Sequence, residues 1–135
     1  MKVSTKGRYA LRMLLDLAEH REQGFIPLKD IAERQDISKQ YLEQIVSIIS
    51  SSGALRANRG KQGGYMLSKE PAAYTVGQIL RLTEGNLVPI ACLEDDVNQC
   101  ERAEKCKTLS MWKGLNKVIA DYLDGITLQD LLDKN

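Results

Sequence analysis

Apolar residues recur along the first part of the chain with the period of an α-helix. Ala10, Leu11, Met13, Leu14, Leu15, Leu17 and Ala18 give residues 8–21 a wide apolar face, and Gly24 ends the run. Pro27 has a fixed φ and no N–H, which suits a helix start. It predicts a short helix from Leu28 to Arg34 with Ile31 and Ala32 inward. A turn follows at Gln35-Asp36-Ile37. Ser38 then caps a third helix to about Ser52, with Leu42, Ile45, Val46 and Ile49 on its core side. Gly53 stops it, and the apolar period drops to two. Residues 54–57 and 65–67 read as strands joined by the glycine-rich, basic loop Asn58-Arg59-Gly60-Lys61-Gln62-Gly63-Gly64, a β-hairpin. Thr75-x-x-Gln78 is a capping box before a helix to about Thr83. The pattern is irregular over residues 85–106. A long helix is predicted from Thr108 to Leu123, and Thr127 caps a last short helix from Leu128 to Leu132. On the long helix, Trp112, Leu115, Ile119 and Tyr122 follow the 3-4-3 spacing of a helix-pairing seam.

This order makes the fold mainly α: a winged helix-turn-helix domain with a small β-hairpin wing and a long C-terminal dimerisation helix. Residues 1–83 form the expected DNA-binding domain, 84–107 a cysteine-containing loop, and 108–135 the dimerisation and C-terminal helices. In such a fold the second helix of the pair projects its N-terminal side chains into the major groove, while the first braces it. Small Ala32 permits close approach, and Ile37 pins the turn. The expected DNA-contacting residues are Ser38, Lys39, Gln40, Tyr41, Glu43 and Gln44 on the reading helix, with Arg59 and Lys61 on the wing. Serine and lysine hold phosphates. Gln40 and Gln44 carry the paired donor and acceptor that match an adenine edge. Glu43 is repelled by phosphate but accepts from a cytosine amino group, which makes it a specificity filter. Arg59 suits the narrow, negative minor groove.

Charge sharpens this picture. The net charge of the 135 residues is only +1. Residues 1–81 carry thirteen Lys/Arg against eight Asp/Glu, whereas residues 82–135 carry six against ten. The basic N-terminal part is what a phosphate-binding surface requires. No apolar run approaches the roughly 20 residues of a membrane span. Nor does the N-terminus read as a signal peptide, so a cytoplasmic location is expected. We find no phosphate-binding glycine loop after a strand, no nucleophile elbow and no histidine-based constellation, so an enzyme with a small-molecule substrate is not expected. Three cysteines, Cys92, Cys100 and Cys106, fall in the acidic part. An odd number in a reducing compartment argues against a disulfide framework and for metal ligands or redox groups.

Several segments together carry a family likeness. Ser4-Thr5-Lys6-Gly7-Arg8-Tyr9-Ala10, Ile37-Ser38, Tyr41-Leu42-Glu43-Gln44, Arg59-Gly60 with Gly63-Gly64-Tyr65, and Ile126-Thr127-Leu128 resemble the IscR-like (Rrf-type) winged helix-turn-helix transcriptional regulators. The likeness spans essentially the whole chain. It implies a homodimer on a palindromic double-stranded operator, with the long helix crossing between subunits. It also implies that Cys92, Cys100 and Cys106 hold a 2Fe–2S cluster, which would make the chain a regulator of iron–sulfur cluster biogenesis genes. A histidine often supplies the fourth ligand in that family, but Leu109 stands at the matching position here. Glu94, Glu101, Glu104, solvent or a partner group could replace it. His20, the sole histidine, reads as a solvated helix-end residue. Zinc is an alternative occupant of the thiolates, and a direct thiol redox switch is another. Two further readings stay open: a regulator of cysteine or sulfur metabolism acting through a protein partner, and, from another class, a small redox or metal-carrier protein.

Overall fold

The structure is a computed structural model, and it describes residues 2–61, 63–94 and 101–134. The first helix, α1, spans Thr5–Glu19 and starts earlier than the apolar period shows. Its first turn is polar, so periodicity cannot mark it. The start is set instead by Ser4, whose hydroxyl accepts from Gly7 N–H at 3.2 Å. Ser4 is held in turn by Glu84, whose Oε1 accepts from its N–H at 2.9 Å and its hydroxyl at 2.6 Å.

Helix α2, Leu28–Gln35, follows Pro27, and α3, Lys39–Ser50, follows Ser38, whose hydroxyl accepts from Tyr41 N–H. Asp36 makes the turn between them in the left-handed region at φ 54. A short polar side chain tolerates that conformation better than most. Ile37 is buried, and its N–H bonds the Ala32 carbonyl at 3.2 Å.

The wing pairs β1, Leu55–Asn58, antiparallel with β2, Gly64–Leu67, in a register from Leu55↔Leu67 to Asn58↔Gly64. The first strand thus begins one residue later than its pattern suggests. An unforeseen backbone bridge joins the hairpin to the body, with Ile26 and Tyr65 exchanging N–H···O bonds of 2.8 and 2.9 Å. Gly64 packs directly on the Ile26 carbonyl, where any β-carbon would overlap it.

Helix α4, Val76–Glu84, carries the expected capping box. Helix α5, Leu109–Asp124, and α6, Leu128–Leu132, complete the chain, with a second capping box from Thr127 and Asp130 opening α6. No helix among the described residues is long and apolar enough to cross a membrane.

Met13, Leu14 and Leu17 of α1 meet Ile31 of α2, Leu42, Ile45 and Ile49 of α3, and Leu128 of α6 in the main core. Burying each such side chain contributes about 1.5–3 kcal/mol. Val76 and Leu80 of α4 form a smaller cluster with Leu87. Helix α5 differs from all of these, because none of its residues is fully buried. Met111, Leu115, Val118 and Tyr122 are 40–66% exposed and line up at 4-3-4 spacing. Of the residues expected on a pairing seam, Leu115 and Tyr122 are exposed while Trp112 and Ile119 are half-buried, and Met111 and Val118 complete the exposed stripe. The body side of α5 is held to α4 by Leu123 in the smaller cluster and by a bidentate salt bridge in which Arg81 donates two hydrogen bonds to Asp124, at 2.6 and 2.9 Å.

Candidate nucleic-acid interface and cysteine loop

The start of α3 presents Ser38, Lys39, Gln40, Glu43 and Gln44 as exposed side chains. This follows from the helical period, because Leu42, Ile45, Val46 and Ile49 occupy the buried face. The wing residues Arg59 and Lys61 are also exposed. An open cleft of about 860 Å³ runs between α3 and the wing, with Lys39 and Glu43 on one wall and Arg59 on the other. Of the expected reading and wing residues, Lys39, Glu43 and Arg59 share this concave surface. Gln40 and Gln44 are exposed on the same helix but do not line the cleft.

Two further features bear on this surface. Tyr41 is half-buried, and its ring packs edge-on against Tyr9 from α1 with centroids 5.6 Å apart. Lys29 and Ser47 also line the cleft. The signal for Ser47 was its place one turn beyond Glu43. Lys29 gave none, because its position depends on how α2 meets the wing.

Cys92 lies in a short 3₁₀ turn, Ala91–Leu93, and is half-buried. Cys106 is half-buried just ahead of α5, with its Sγ 3.3 Å from the Thr108 hydroxyl. Hydrogen bonds from the Thr108 side chain and backbone, with a smaller effect from the Arg102 charge, lower the Cys106 thiol below its ordinary 9.0. The thiolate is the form that binds soft metals. Cys100 lies outside the described residues. Leu109 opens α5 with an aliphatic side chain that cannot ligate, while Glu94, Glu101 and Glu104 are exposed on the loop. His20 sits at the end of α1, its Nδ1 2.8 Å from the Asp16 carbonyl.

A family model described as "Rrf2: Iron-dependent Transcriptional regulator" matches residues 3–134. The HTH-type transcriptional regulator CymR of Bacillus subtilis is 40% identical over 131 residues, 97% of this chain and 89% of the relative. The HTH-type transcriptional regulator IscR of Yersinia enterocolitica is 36% identical over 133 residues, 98% of this chain and 80% of the relative. The solved structure of CymR, described as the global cysteine regulator of B. subtilis, superposes with a TM-score of 0.82 at 38% identity, covering 100% of this chain and 98% of that one. All of these are regulators rather than enzymes, and their winged-helix architecture is the one built above. On this agreement of residues, fold and relatives, the chain belongs to the Rrf2 family of transcriptional regulators.

Proposed function

We propose that the chain is a dimeric DNA-binding regulator that senses iron–sulfur or redox status through Cys92, Cys100 and Cys106. The observation that carries DNA reading is the shared cleft, which sets Lys39 and Glu43 of α3 opposite Arg59 of the wing. In this reading α3 enters the major groove, Glu43 filters bases, and Arg59 and Lys61 engage the flanking minor groove and phosphates. The exposed Met111–Tyr122 stripe supports pairing of two α5 helices, since an apolar stripe at 4-3-4 spacing matches a heptad seam. Two heads on a palindrome would then read half-sites about 34 Å apart.

The donor chemistry fits a cluster, because soft cysteine sulfurs are iron ligands and Cys92 and Cys106 lie on the two arms of one loop. When bound, a 2Fe–2S cluster would supply an iron- and redox-dependent tie between the three thiolates. Cys92 follows α4 and Cys106 precedes α5. Drawing them together fixes the loop against both helices and so biases the spacing of the two heads. Iron–sulfur biogenesis genes are the natural targets of such a sensor. The similar identity to CymR favours a second reading, control of cysteine metabolism.

Anaerobic purification with visible absorption and metal analysis tests the cofactor. The expected result is a coloured, iron-containing protein; colourless protein that resists reconstitution moves the thiols to zinc or redox chemistry. Footprinting wild type against the triple Cys→Ala variant tests sensing, and identical footprints would overturn it.

A further inference from the structure

The reading face of α3 is held by a brace that carries none of the base-facing side chains. Arg12 lies on α1, exposed beside the start of the reading helix. Its Nε donates to Gln35 Oε1 at 3.2 Å, and its other arm donates to the Gln35 carbonyl. Gln35 is the last residue of α2, immediately before the left-handed Asp36 turn. The same guanidinium lies over the Tyr9 ring, 5.0 Å from the centroid. Tyr9 in turn meets Tyr41 edge-on in the first turn of α3. One side chain therefore grips both sides of the turn: the end of α2 by hydrogen bonds, and the start of α3 through two rings in edge-to-face contact.

On the far side, Gln35 Nε2 donates to Asp16 at 3.1 Å, and Asp16 is buried. The brace thus ends on a fixed point of α1. The angle between α2 and α3 decides where Gln40, Glu43 and Gln44 point. Base contacts tolerate errors of only about half an ångström and 10–20°.

Resting on the DNA-reading assignment, we infer that Arg12 and Tyr9 are positioning residues that determine sequence discrimination by orienting α3. Arg12 acts here through its fork, not its charge. An ammonium has no planar fork with which to hold Gln35 at two points while stacking on Tyr9. The rival role for an exposed arginine beside a reading helix is a direct phosphate contact, and the two roles separate cleanly. A lost phosphate contact weakens all duplexes alike and reduces the salt dependence. A lost brace weakens the preferred duplex most and leaves the salt dependence unchanged.

The test selects preferred duplexes from a random pool with the wild-type dimer. It then measures affinity for a selected and a scrambled duplex across a salt series, using wild type, Arg12→Lys, Arg12→Ala, Tyr9→Ala and Tyr9→Phe. Thermal unfolding of each variant confirms that it is folded at the assay temperature. The ratio of the two affinities should fall about tenfold in both Arg12 variants and in Tyr9→Ala, roughly what misplacing one good base contact costs. The salt slope should not change, and Tyr9→Phe should keep the wild-type ratio. An unchanged ratio in folded Arg12 variants overturns the inference. So does an Arg12→Ala salt slope reduced by about one, with Arg12→Lys behaving as wild type. If wild type itself selects no duplex, the DNA-reading assignment falls first, and this inference falls with it.

Discussion

Asp16 keeps its charge inside the core because the neighbouring helix answers it. Burial alone would raise its pKa, but Arg34 donates twice, at 2.9 and 2.6 Å, and Gln35 once, so its carboxyl lies below the ordinary 3.8. A carboxylate stabilised in this way contributes fully above its unfolded value, and the contribution fades as pH falls through the lower folded value. Asp16→Ala should cost about 2–3 kcal/mol near neutral pH, as expected for a charged group with several donors. The difference from wild type should shrink on acidification below about pH 4, as melting curves across pH would show. Tyr74 is a second buried polar anchor. Its hydroxyl donates to the Ala54 carbonyl at 2.7 Å and accepts from the Ser68 and Lys69 N–H groups at 3.0 and 3.2 Å, tying both feet of the wing together. Tyr74→Phe should cost about 1–3 kcal/mol in urea denaturation, because it orphans these backbone groups. Neither role was legible in the sequence. Asp16 and Tyr74 carry no local pattern that marks them, because Arg34 and Ala54, which they bind, lie 18 and 20 positions away.

At the level of elements, the caps were the clearest text. Ser38, Thr75 and Thr127 each accept the expected backbone N–H. Thr75→Ala should therefore lower stability by about 1 kcal/mol in denaturant titration without altering the fold. The strand boundaries and the Ile26–Tyr65 bridge were less legible, because that pairing joins positions far apart in the chain and leaves no local period. It explains why Gly64 cannot carry a side chain. Gly64→Ala should push the wing off the body, by the cost of a backbone overlap and two lost hydrogen bonds. In hydrogen exchange the expected signature is fast exchange confined to the Ile26 and Tyr65 amides and their strand neighbours, with α4 protected as in wild type.

For the whole molecule, the long helix shows both the reach and the limit of pattern reading. Its extent was foreseen to within a residue at each end. Its exposed stripe is turned by one position from the expected seam, since the stretch is apolar over more than half its circumference and only packing against α4 decides which part is covered. A charge at Val118, 64% exposed, tests the pairing. Val118→Glu should give a monomer by light scattering with an unchanged melting profile for the head, whereas a wild-type monomer at micromolar concentration removes the dimer.

Helix α6 returns beneath α1, where Leu128 is wholly inaccessible, and its Thr127 pairs with Thr75 at the foot of α4. The chain therefore doubles back to its own base, like a rope made fast after running out along a spar. A strut anchored in this way has no slack at its root. In the proposed dimer, any tilt imposed on α5 would be carried bodily by the head, and a protein cut after Asp124 should forfeit this leverage along with part of its core.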